Sequence, residues 1–218
     1  MTEVSASILT VEKDNATQMF YDLEVAKINY FHIDVMDGKF VERDTTSTMK
    51  DYALTISHIS NLGLDVHLMV ENVEEFMDEY LMLEPEILTF HIEATKTEER
   101  TKNIIEQIKD GGSRVGISIS PDTDLEMIKP YLSQIHMVLV MTVVPGKGGQ
   151  KLIPETLEKV KALRKYVVEN GLDIDIEVDG GINGETAELA KEAGANILVA
   201  GNYLVTAENL KEAVQSLK

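Results

Sequence analysis

"DIDIEVDGGINGETAELAKEAGANILVAGN", residues 173–202, sets out one structural unit and the start of the next. Asp173–Val178 reads as a short β-rich strand, and Asn196–Ala200 as a second. Between them Ala187, Ala190 and Ala193 recur at helical spacing, and Gly194 stands where a helix should stop. The same rhythm runs outward through the chain. Further strands are expected at Val4–Leu9, Tyr30–Val35, Leu64–Met69, Ile87–His91, Arg114–Ile119 and His136–Met141. In "PETLEKVKALRKYVVENG", Leu157, Val160, Leu163, Val167 and Val168 form a helical stripe, with Pro154 near its start and Gly171 after its end. Asn72 reads as an N-cap, with Glu75 three residues on. Eight strands, each followed by a helical segment, are the arithmetic of an α/β fold of the (β/α)8 TIM-barrel type, spanning 1–218 as one domain. A doubly wound open sheet is the alternative. The dinucleotide fingerprint G-x-G-x-x-G is absent after the first strand, where "ILTVEKDN" stands.

Composition narrows the function classes. A hydrophobic fraction of 44% suits a globular core. No run of about 18 apolar residues suggests a membrane span. The first residues lack a basic segment followed by an apolar one, so a cytoplasmic location is expected. With no cysteine, disulfide and thiolate chemistry are excluded. A net charge of −18 argues against nucleic acid or an anionic membrane as partner. An anionic small molecule would need local donors.

In this fold the chemistry sits at the C-terminal ends of the strands. Polar residues gather there: Ser7; His32, Asp34 and Asp37; His67; His91 and Glu93; Asp179. His32 and Asp34, two apart, share a strand face. Joined by His67 and Asp179, they make two imidazoles and two carboxylates converging on the barrel axis, a credible seat for one divalent metal. Asp37, before Gly38, reads as a turn former, and His91 with Glu93 as a supporting pair. Three glycine-bearing loops, "PGKGG", "DGG" and "AGN", follow the sixth, seventh and eighth strands. Gly146, Gly148, Gly149, Gly180, Gly181 and Gly201 let backbone N–H groups approach an anion, as a phosphate cradle requires.

The stretches "ASIL", "FHIDVMDGKFV", "DVHLMV", "HIEA", "MTVVPGKGGQKLIPE", "IEVDGGIN" and "AGANILVAGNYL", in this order, resemble the ribulose-phosphate 3-epimerase family over nearly the whole chain. The resemblance implies a ribulose-phosphate-binding (β/α)8 barrel and an isomerase. Its reaction would invert C3 of a ketose phosphate, D-ribulose 5-phosphate to D-xylulose 5-phosphate, through a metal-stabilised enediolate. It implies His32, Asp34, His67 and Asp179 as metal ligands, with Asp34 and Asp179 also the catalytic acid/base pair. Ser7, Met36, Met69, Met141, Lys147 and Asn202 would join the glycines around the substrate. One divalent ion is expected, zinc first, with iron(II), manganese or cobalt also suited. A homo-oligomer, dimer or hexamer, is implied as well.

The rim departs from the family pattern. Lys39 stands for a usual His, Glu42 and Arg43 for Pro-Asn, Lys147 for an aromatic, Asn202 for Ser, and Val205 for Phe. These changes leave a hexulose phosphate, allulose 6-phosphate, open as an alternative substrate. A non-catalytic sugar-phosphate-binding barrel is a second alternative, against which the intact four-residue set counts.

Overall fold

The computed structural model describes residues 2–218. Its eight strands are β1 (Glu3–Ser7), β2 (Tyr30–Met36), β3 (Gly63–Met69), β4 (Ile87–His91), β5 (Arg114–Ile119), β6 (Met137–Met141), β7 (Asp175–Asp179) and β8 (Ile197–Ala200). All are parallel and pair in chain order, and β1 pairs β8 to close the barrel. The expected barrel is therefore the observed one, with strand ends shifted by one or two residues.

Alternation along the strands sorts the core into two parts. Phe31, Ile33 and Val35 of β2 and Val66 and Leu68 of β3 belong to the large cluster between barrel and helices. Tyr30, Ile87, Met137, Leu139, Met141, Val143 and Ile197 form a second, smaller cluster. The residues that alternate with the outer set are unusually polar for a barrel interior: Ser5, His32, Asp65, Thr89, Ser118 and Glu177 are all fully buried.

The outer ring comprises α1 (Ala16–Val25), α2 (Thr46–Ile59), α3 (Val73–Leu81), α4 (Ile92–Thr95), α5 (Glu98–Asp110), α6 (Glu155–Glu169), α7 (Gly184–Ala193), α8 (Asn202–Val205) and α9 (Leu210–Leu217). In α7 the alanine stripe is buried, Asn183 caps the start and Gly194 adopts φ 112° at the end, as the sequence requires. One expectation is met in part and another fails. Asn72 takes the N-cap position of α3, but its side chain caps no backbone N–H; instead its amide donates to Glu75. The connection after β5 has no α-helix. It turns through short 3-10 segments, Leu125–Met127 and Lys129–Gln134, because Pro121 and Pro130 interrupt it and the next strand follows closely. Ile128, Tyr131 and Leu132 still cover that side of the barrel.

Candidate active site

Strand register builds the site. Asp34 of β2 lies directly beside His67 of β3, Ser7 of β1 beside His32, and Met141 of β6 beside Asp179 of β7. His32, Asp34, His67 and Asp179 each offer an atom within 4.8 Å of the others. Asp34 Oδ1 lies 3.3 Å from both His32 Nε2 and His67 Nδ1. Its other oxygen, Oδ2, accepts the Ser7 hydroxyl at 2.7 Å. Thr45 holds the strand end by donating to the Asp34 carbonyl.

Each imidazole is gripped from behind. His32 Nδ1 meets Asp65 Oδ2 at 2.6 Å, and the same oxygen accepts from Ser5. His67 Nε2 meets His91 Nε2 at 2.9 Å, and His91 Nδ1 meets Glu93 Oε2 at 3.0 Å. Glu93 is anchored by the Ser120 N–H and the Thr123 hydroxyl. Burial alone would raise the Glu93 pKa, but its hydrogen bonds with His91, Thr123 and Ser120 prevail and hold it at about 2. An ionised Glu93 accepts a hydrogen bond from the His91 Nδ1–H, which leaves His91 Nε2 as an acceptor. His67 Nε2 must then carry the proton between the rings, so His67 Nδ1 faces Asp34 bare. Burial agrees, lowering the His67 pKa to about 4.

By the same logic the His32 Nδ1–H donates to the Asp65 carboxylate and Nε2 points inward, where that nitrogen has no hydrogen-bond partner. Two imidazole lone pairs and a carboxylate oxygen thus converge with no proton between them, an arrangement that calls for a cation. With protons alone, Asp65 and Asp34 outweigh the burial of His32 and raise its pKa well above the usual value. A divalent ion answers the same demand and matches a donor set of two nitrogens and two carboxylates. The residues present therefore fit the metal.

The two carboxylates at this centre are poised differently. Burial works against ionised Asp34, yet His32 and His67 prevail and lower its pKa far below the ordinary range. Burial, and then the charge of Asp34, raise Asp179 to about 7. Asp179's folded-state pKa thus lies above its unfolded one. Ionising it makes the metal-free protein less stable as pH rises from about 4 towards 7, while Asp34 acts in the opposite sense below about pH 4. A bound cation must displace the protons of both Asp179 and His32. Its dissociation constant is expected to be at least tenfold weaker at pH 6 than at pH 8, measurable by calorimetric titration of stripped protein.

Above this centre opens a cavity of about 630 Å³. Asp34 and Asp179 reach it, and so do Ser7, Met36, Met69, Met141, Gly146, Lys147, Gly148, Gly149, Gly180, Gly181, Gly201 and Asn202. The structure brings the residues expected as metal ligands and substrate contacts to one mouth, with His32 and His67 sealed below it, while Asp37, His91 and Glu93 do not line it. Gly180 and Gly181 adopt φ 125° and 68°. A Cβ on Gly181 would stand 2.3 Å from the Leu152 nitrogen, so only glycine lets the chain turn there beside the cavity. Asp37 behaves as the turn former expected, accepting from the Lys39, Phe40 and Glu71 N–H groups.

Sequence reading passed over Asp65 and Glu177. Each lies two residues before a site residue on the same strand face, and that spacing was the available signal. Glu177 is fully buried, and both its oxygens lack a hydrogen-bond partner. Burial, and then Asp65, raise its pKa well above the usual value, so it sits neutral beneath the site.

Residues 3–205 match the protein family described as the ribulose-phosphate 3 epimerase family. The chain is 40% identical over 218 residues to a ribulose-phosphate 3-epimerase of Methanocaldococcus jannaschii, covering all of this chain and 90% of that protein. It is 37% identical over 219 residues to one of Bacillus subtilis, covering all of this chain and 99% of that protein. Among solved structures, a 3-hexulose-6-phosphate synthase superposes with a TM-score of 0.73 at 12% identity, covering all of this chain and 98% of that one. A 3-keto-L-gulonate-6-phosphate decarboxylase from Vibrio cholerae also gives 0.73 at 12% identity, covering all of this chain and 96% of that one. At such identities the superpositions establish the fold alone.

Proposed function

The chain belongs to the ribulose-phosphate 3-epimerase family, and we propose that it interconverts D-ribulose 5-phosphate and D-xylulose 5-phosphate by moving one proton at C3 between Asp34 and Asp179. It is an isomerase of the epimerase class. No helix among the described residues is long and apolar enough to cross a membrane.

One observation supports the acid/base roles above all others. Two carboxylates face one cavity with their pKa values pushed in opposite directions, Asp34 down and Asp179 up to about 7. In the metal-free protein near neutrality one is therefore ionised and the other about half protonated, and this asymmetry suits inversion, which takes a base on one face of C3 and an acid on the other. They rise from strands three places apart around the barrel, so they can flank a substrate. Asp34 Oδ1 faces the imidazoles, which leaves Oδ2, oriented by Ser7, to take the proton. Met36, Met69 and Met141 are buried and keep water from the carbanionic intermediate. The glycine loops offer backbone N–H groups to the phosphate, an uncharged means of holding an anion on an acidic protein.

A divalent ion held by His32, Asp34, His67 and Asp179 would supply positive charge that stabilises the enediolate and so acidifies the C3 proton. The donor set suits zinc, and iron(II), manganese and cobalt are compatible.

The test is an epimerase assay on D-ribulose 5-phosphate and D-allulose 6-phosphate side by side, in protein reconstituted with each metal. A kcat/KM at least tenfold higher on the pentose phosphate is expected. Preference for the hexulose phosphate would overturn the substrate, and turnover of neither would overturn the reading.

A further inference from the structure

A second cavity, of about 870 Å³, adjoins the first and shares Pro145, Gly146, Lys147 and Gln150 with it. Its walls are the loop after β2, residues 38–43, and the loop after β6. Lys39, Arg43 and Lys147 line it, against a single carboxylate, Glu42. All four side chains are exposed. Among the described residues none of the three cations has an ion-pair or hydrogen-bond partner for its charged end. Elsewhere Lys50, Lys96, Arg100 and Arg114 are each matched to a carboxylate. On a chain of net charge −18, a cluster of unneutralised cations at the mouth of a cavity stands out.

The loop that carries two of them is built firmly. Asp37 ties down the Lys39, Phe40 and Glu71 N–H groups, and the Gly38 N–H donates to the Arg43 carbonyl. Phe40 packs on the His91 ring with centroids 4.9 Å apart. Val41 presses against Gly146, leaving only 3.0 Å for a Cβ there, and this joins the two loops. Lys39 and Arg43 are thus presented from an anchored turn beside the glycine cradle.

We infer that this rim is a second anion subsite, which receives the phosphate dianion of the incoming sugar phosphate and passes it to the glycine cradle. The inference rests on the sugar-phosphate reading above. Its physical need is plain: a dianion approaching a strongly acidic protein is repelled until local positive charge captures it. Glu42 opposes that capture and gives the idea a built-in control of opposite sign.

The first test is steady-state kinetics on D-ribulose 5-phosphate with Lys39→Gln/Arg43→Gln and, separately, Glu42→Gln. At about 0.01 M salt, where screening reaches only beyond roughly 30 Å, the double variant is expected to raise KM about tenfold and leave kcat within about twofold. The gap should close by about 0.3 M salt, and Glu42→Gln should lower KM. An unchanged KM with the wild-type salt slope, or a fall in kcat alone, overturns the subsite. The second test does not depend on turnover. Inorganic phosphate is titrated into metal-loaded wild-type protein while backbone amide NMR signals are followed. Movement of the signals of residues 39–43 as well as those of Gly180 and Gly181 supports the subsite, even if ribulose 5-phosphate proves not to be a substrate. Movement of the glycine signals alone overturns it.

Discussion

Asp34→Asn and Asp179→Asn each lower kcat for C3 inversion by about 10³-fold or more, within the range one positioned proton carrier contributes. The two variants differ in what survives. Asp179→Asn keeps the low-pKa carboxylate, so Asp34 still removes the proton on its own face and returns it there. In deuterium oxide this variant exchanges the C3 hydrogen of one epimer without producing the other. Asp34→Asn loses the carboxylate that stays ionised and also the charge that His32 and His67 face at 3.3 Å. It exchanges through Asp179 only, and so on the other epimer. Metal content measured on both variants separates loss of a proton carrier from loss of the ion. Inversion within tenfold of wild type in either variant sinks the two-carboxylate mechanism. Exchange of the same epimer by both would mean that one group serves both faces.

The barrel and the site were legible in the sequence to different depths, for physical reasons. Strands of a parallel barrel are buried on both faces and appear as short apolar runs, so eight of them could be counted. The connection after β5 misled because its apolar residues Ile128, Tyr131 and Leu132 keep a covering role without a helix, which the prolines forbid. His32, Asp34, His67 and Asp179 could be named because charged residues at strand ends contradict the apolar run around them. Asp65 and Glu177 contradict it equally, but they lie one layer deeper, where position at the strand's end gives no cue. What no linear reading supplies is register. That Asp65 backs His32, and that His91 meets His67 through one shared proton, follow only from how neighbouring strands are aligned.

That alignment makes Glu93 matter although it touches no substrate. Replacing it with Gln is expected to weaken divalent-metal binding by about 10- to 100-fold. The reason lies in which groups can donate. Glu93 Oε1 accepts from the Ser120 N–H and the Thr123 hydroxyl, while Oε2 faces His91 Nδ1. A glutamine has one acceptor oxygen, and the fixed Ser120 N–H claims it. Its NH2 then points at His91 Nδ1, which must give up its proton and accept. His91 carries the proton on Nε2 instead and donates it to His67 Nε2. The His67 proton shifts to Nδ1, the atom 3.3 Å from Asp34 that must be bare to hold a cation. Glu93→Gln thus reverses the tautomer of a buried ring two residues away in the hydrogen-bond chain. Cobalt(II) titration followed by its visible absorption gives the affinity, and long-range 15N NMR of the imidazoles gives the tautomers. Wild-type affinity with an unreversed His67 would show that the ring is set locally by Asp34, and that the chain from Glu93 has no part in it. Reversed tautomers with wild-type affinity would show that His67 is not a ligand at all.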